Sequence, residues 1–165
     1  IGAMYDFGEG VSQNFVEAEK WYFAAMKQGF IAAAVNLGEL ARDGKGVIQD
    51  YKKAFTMFKL SADYKSAVAH FNLGNAYSKA EGVPKDNVMA IMHYTIASEL
   101  SEFRIPEAVE EIKALELTLS SDQIIEAQGL AKEWLKKFSK VKTPDSAKFW
   151  GYSLDRETFD PIASD

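Results

Sequence analysis

A 36-residue period governs this chain. Shifting the sequence by 36 superposes Gly2, Gly38 and Gly74. The same shift aligns Gly10-Val11 with Gly46-Val47 and Gly82-Val83, and Asn14 with Asp50 and Asp86. It also aligns Ala18, Ala54 and Ala90, and the aromatics Tyr22, Phe58 and Tyr94. Five features recurring in phase require a repeated structural unit, and a period of this size is that of a solenoid.

Each period reads as two helices. Leu37 to Asp43 and Leu73 to Lys79 are the second halves of a first helix, and Ile1 to Phe7 is the matching end in the first copy. A loop follows each: Gly8-Glu9-Gly10-Val11, Gly44-Lys45-Gly46-Val47 and Ala80-Glu81-Gly82-Val83. Glycine past a helix end accepts the left-handed cap conformation. The second glycine is kept in all three copies, so it is expected to hold the positive φ. Asn14, Asp50 and Asp86 are N-cap residues for the second helix, and Glu17 stands where it would complete a capping box. The stripe Tyr51, Ala54, Phe55, Phe58 and Ala62 is one helix face. Short links make neighbouring helices antiparallel.

Gly38 and Gly74 fall inside helices, where glycine costs about 1 kcal/mol against alanine. Repeating that cost in phase points to close helix packing, expected near Ala25, Ser61 and Ala97. The first copy lacks most of its first helix, so an apolar edge is expected around residues 1–26, at Phe15, Ala18 and Tyr22. An earlier turn or repeat of a longer protein would cover it.

The period fails after Leu100. Pro106 suits a helix start, with Ala108, Ile112, Leu115 and Leu119 as its stripe. Ser120 to Gln123 reads as a capping box. It opens a long helix with Ile124, Ala127, Ala131, Trp134, Leu135 and Phe138 on one face. An atypical last helix pair closes the open end of a solenoid. The expected organisation is one repeat domain over 1–138, with repeats at about 1–29, 30–65 and 66–102 and capping helices over 105–138. An irregular tail, 139–165, carries Phe149, Trp150 and Tyr152, which are expected to dock on a solenoid groove of this chain or of a neighbouring copy.

The net charge of −5 lacks the basic face that a phosphate-backbone binder needs, so nucleic acid is not an expected partner. Absence of cysteine removes disulfides, thiolate metal sites and cysteine nucleophiles. No apolar run reaches membrane-spanning length; Phe30 to Val35 is the longest notable one.

Ala33 to Gly38, Gly44 to Asp50 and Tyr51 to Phe58, with Trp21-Tyr22, Ala24-Ala25 and Gly29 in the first copy, resemble the Sel-one-like repeat, a relative of the tetratricopeptide repeat. The resemblance spans residues 1 to about 102. It departs from the family pattern at Val35, Ala41, Ala80 and Asn87. It implies an all-α, right-handed solenoid of antiparallel helix pairs. It also implies scaffold or adaptor work through protein–protein interaction, and it favours an exported or periplasmic bacterial protein.

Chemistry is sparse. The glycine loops lack a P-loop: Glu39 stands where the first glycine belongs and Gly46 where Ser or Thr belongs. His70 and His93 lie in different helices without a second histidine one turn away, and they read as ordinary helix residues. No serine sits in a G-x-S-x-G elbow. Glu110-Glu111 belongs to a solvated face. No catalytic residue, metal or cofactor is expected. The candidate binding residues are Asn36, Glu39 and Arg42 on one first helix and Asn72, Asn75 and Lys79 on the next, lining a concave face for a peptide or protein. The alternative is a small ligand or glycan in the groove, which a closed pocket of ~300–1,000 Å³ would favour.

Overall fold

The computed structural model describes residues 1–101 and 105–139, and all regular structure among them is helical. The helices are α1 Gly2–Phe7, α2 Phe15–Lys27, α3 Ala32–Asp43, α4 Tyr51–Ala62, α5 Ala67–Lys79, α6 Asn87–Leu100, α7 Pro106–Glu116 and α8 Ser121–Ser139. From α1 to α7 each helix packs on the next. The docking expected of Phe149, Trp150 and Tyr152 lies outside the described residues.

The repeated residues set the helix ends. Asn14, Asp50 and Asp86 accept through their side chains from the backbone N–H of Glu17, Lys53 and Met89. The capping box expected at Glu17 does not close. The N–H of Asn14 is already donated to the Tyr5 carbonyl, and Glu17 binds Lys20 instead. The same backbone bond recurs from Asp50 to Ala41 and from Asp86 to Tyr77, so each repeat ties its loop back to its first helix. The box expected at Ser120 does close, with Ser120 N–H on Gln123 Oε1 and Gln123 N–H on Ser120 Oγ.

Both loop glycines, not the second alone, adopt positive φ, and Ala80 adopts it too at 60°. The difference between the two positions is space. A Cβ at Gly44 would meet nothing nearer than 3.3 Å, whereas one at Gly46 would lie 2.6 Å from the Cβ of Phe15 and against that residue's backbone. The second glycine therefore lets a loop press on the first turn of the preceding repeat's second helix. The first position carries only the left-handed strain. Ala80→Gly is expected to raise stability by about 0.5–1 kcal/mol, since an L-residue there costs roughly 1–2 kcal/mol and glycine gives part of that back as chain entropy. Chemical denaturation measures it; a loss of stability would contradict the strain account.

The in-phase glycines do pack closely, but not on Ala25, Ser61 and Ala97. Their neighbours are the phased aromatic rings. A Cβ at Gly2 would stand 2.8 Å from Tyr22, and at Gly38 or Gly74 it would stand 2.5 Å from Phe58 or Tyr94. The apolar edge expected over residues 1–26 is present, but Ala18 and Tyr22 are not part of it. Ala18 and Tyr22 are buried against α1 and α3, and Phe15 is half-buried. The apolar side chains exposed at this end are Ile1, Met4, Phe7, Val16 and Trp21.

The last two helices, α7 and α8, follow the third repeat. Both pack on α6, which buries Ala108 of α7 and Ala127 and Ala131 of α8. The C-terminal half of α8 then reaches back to α5, where Trp134 sits edge-on to His70 at 4.5 Å between ring centroids.

Candidate functional site

Two regions carry polar groups in an organised way. The first is the expected face of α3 and α5. Arg42 donates through Nη1 to Asn72 Oδ1 at 2.9 Å and through Nε to Asp43 at 2.8 Å. Asn72 donates in turn to Glu39 Oε1 at 3.4 Å. Three of the six residues therefore form one network that ties successive repeats together, and Asn72 is 4% exposed, held as structure rather than displayed. Asn75 accepts from the Tyr94 hydroxyl at 3.0 Å. Asn36 is half-buried and Lys79 is exposed.

Repeat phase explains the network. Tyr22 donates to Asp6, and its counterpart Tyr94 lies 3.3 Å from Ser78, the counterpart of Asp6. Burial, reinforced by Asp6, pushes the Tyr22 hydroxyl well up; burial pushes Tyr94 up to about 12. The middle copy has Phe58, which has no hydroxyl. Its would-be partner Arg42 is released to bridge to the next repeat.

The second region was not legible as a site. His70 on α5 and His93 on α6 meet at 2.9 Å between their Nδ1 atoms. They are 1% and 9% exposed. One imidazole must donate and the other accept, so the two cannot both be imidazolium. Burial, helped by the neighbouring His93, lowers His70 from 6.5 to about 3, and burial lowers His93 to about 4. The Ala62 backbone acts against the lowering of His70, whose Nε2 makes no close hydrogen bond. Tyr77 stacks on His93 with an interplanar angle of 11°, and Trp134 covers His70. Beside the pair, between α4, α5, α6 and α8, lies a cavity of about 330 Å³, whose walls include Phe55, Met89 and Met92. Lys59 of α4 and Asp63, just past the end of that helix, are its charged groups.

A signal for this pair exists in the period. His70 is in phase with Ala34, and His93 with Met57, both buried in the preceding repeat. Two histidines replacing two facing core residues of one repeat must face each other. Among the described residues, no three His, Asp or Glu side chains cluster as a metal site would need, and no helix is long and apolar enough to cross a membrane.

Known proteins share the repeat. The sequence profile of the Sel1 repeat matches residues 1–30, 31–63 and 67–102. The chain is 35% identical over 88 residues to an ERAD-associated E3 ubiquitin-protein ligase component, HRD3B, of Arabidopsis thaliana; the match takes in 52% of this chain and 13% of that protein. The structure of a protective antigen of uropathogenic Escherichia coli with an SLR fold superposes at a TM-score of 0.65 and 22% identity, over 88% of this chain and 40% of that one. A Sel1 repeat protein of Oxalobacter formigenes superposes at 0.58 and 30% identity, over 68% and 83% respectively. The chain thus spans well under half the length of the plant and Escherichia coli proteins it matches.

Proposed function

The chain belongs to the Sel1 repeat family, and from that premise we propose that it is a non-catalytic interaction module binding a peptide or protein along α3 and α5. One observation carries the reading: the Glu39–Asn72–Arg42 network holds a guanidinium in place across two repeats, on a face that also presents Asn36 and Lys79. A fixed guanidinium has donors to spare for a carboxylate, and ordering it beforehand lowers the entropy cost of binding. Half-exposed amide groups such as Asn36 suit a peptide backbone. The plant relative is by name a component of a ubiquitin ligase; work as one part of a protein assembly is what carries over from it.

Photo-crosslinking in the native cell tests this. A benzophenone amino acid at position 36 or 79 is expected to trap the same discrete adduct, and one at exposed position 132 on α8 none. Lys79→Glu should weaken the adduct while leaving stability within about 0.5 kcal/mol, as for an exposed substitution. Failure to trap at both 36 and 79, or an equal pattern from 132, would rule the face out.

A further inference from the structure

We propose that the recess between α4, α5, α6 and α8 is the docking site of this chain's own segment Phe149–Tyr152, which seats aromatic side chains on Phe55, Met89 and Met92. The contact goes beyond protein binding on α3 and α5 and concerns other residues.

The 36-residue period shows what is unusual about this surface. Phe55 is in phase with Glu19, Met89 with Lys53 and Met92 with Thr56. One repeat earlier, Lys53 and Glu19 form an ion pair at 2.8 Å between successive second helices, and Thr56 is exposed. That face is built for water. In the later repeat the same three positions are apolar, and all three side chains are only half-buried. Trp134 of α8 takes up part of the space, against His70. A volume of about 330 Å³ is left, room for about ten water-sized groups and so for one large aromatic side chain. Phe55 and Tyr77, packed edge to face, offer ring surface to an aromatic guest, and the two methionines adapt to its outline. Apolar side chains gathered half-covered at one place make a docking surface.

The end of α8 selects the occupant. Ser139 is five residues past Trp134, about 7.5 Å along the helix axis from the recess wall. Phe138 stacks on Trp134 with ring centroids 4.2 Å apart, so aromatic surface runs from the recess to the point where the chain leaves α8. Ten further residues lead to Phe149, a reach of up to about 33 Å. Phe149-Trp150-Gly151-Tyr152 holds three large aromatic side chains in four residues, and Gly151 lets the backbone turn so that more than one can face the same wall. Lys148 and Asp155 flank the segment, while Asp63 and Lys59 stand exposed at the mouth of the recess, so each side carries one charge of each sign. Tethering holds the segment at an effective concentration on the order of millimolar, so modest apolar contact is enough to seat it.

The test uses the full chain with p-benzoylphenylalanine in place of Phe149, irradiated in dilute solution and mapped by mass spectrometry. Adducts within one chain to Met89 and Met92 are expected. Phe55→Glu with Met89→Lys installs the residues of the earlier ion pair, Glu19 and Lys53, and should lower the adduct at Met92 about tenfold. Should that variant unfold, Met92→Thr takes its place, scored by the adduct at Met89. No adduct within the chain at either methionine, or adducts only at residues away from the recess, would overturn the proposal. So would an undiminished yield in the folded variant. A covalent dimer as the only product would make a second copy the occupant and overturn it equally.

Discussion

Gly74→Leu is expected to destabilise the protein by about 2–4 kcal/mol, one of the larger effects available to a single substitution here. Helix propensity argues the opposite, since leucine should gain nearly 1 kcal/mol over glycine. Packing wins because of what the new atoms meet. A Cβ at position 74 would sit 2.5 Å from the Tyr94 ring, which is buried, hydrogen-bonded to Asn75, and in contact with Ser78. That ring cannot swing away without breaking its own bonds. Gly74→Ala already clashes and should cost about 1–2 kcal/mol. Calorimetry or urea denaturation reads both. The decisive comparison adds Tyr94→Leu, which opens the space. In that background, Gly74→Ala should turn neutral or stabilising as helix propensity takes over. If the two substitutions simply add, glycine and ring are not coupled and the explanation of the phased glycines fails.

How far the sequence could be read depended on whether a feature repeats. The glycine–aromatic pairs, the N-caps and the tying of loops to helices recur every 36 residues, so their structural role shows even where the contact partner was misjudged. The spacing places Ala25, Ser61 and Ala97 beside the phased glycines, yet the rings of Tyr22, Phe58 and Tyr94 lie nearest to them. Spacing along one helix cannot say which neighbour a side chain meets. The α8 arrangement was less accessible. Its apolar face is plain from Ile124 to Phe138, but an amphipathic stripe does not say whether it covers α7 or reaches back to α5. Of the candidate binding residues, the polar face of α3 and α5 was visible. That Asn72 is consumed by Arg42 and Glu39 was not, because the bond depends on Phe58 lacking a hydroxyl one repeat away. The histidine pair was hidden for the opposite reason: it breaks the period, and its meaning appears only when each histidine is set beside the core residue it replaces.

Acidification tests that pair most directly. In the unfolded chain both histidines titrate near 6.5, while in the fold burial lowers His70 to about 3 and His93 to about 4. Between those values the unfolded chain binds protons that the folded one refuses, so stability rises with pH there and falls on acidification. The contribution is complete above about pH 7 and is lost progressively as pH drops through 6.5 towards 4. Since pH 5 lies about 1.5 below the unfolded value of each histidine and above both folded values, each loses roughly 2 kcal/mol there, so the pair removes about 3–4 kcal/mol. That is a large part of the 5–15 kcal/mol typical of a folded domain. The other titratable or charged side chains lining the space are Lys59 of α4, Asp63 just past its end and Tyr77 of α5. Burial raises the Tyr77 phenol above its ordinary value, so it keeps its proton throughout that window. The slope in that window therefore belongs chiefly to the histidines. Replacing them by the residues in phase one repeat earlier, His70→Ala with His93→Met, installs the pair that the preceding repeat buries in one core cluster, Ala34 and Met57. Urea denaturation from pH 7 to 5 should show the wild type losing several kcal/mol and the double variant less than about 1 kcal/mol. A flat wild-type profile would mean that the pair accepts protons as readily folded as unfolded. An equal slope in both proteins would place the acid sensitivity elsewhere.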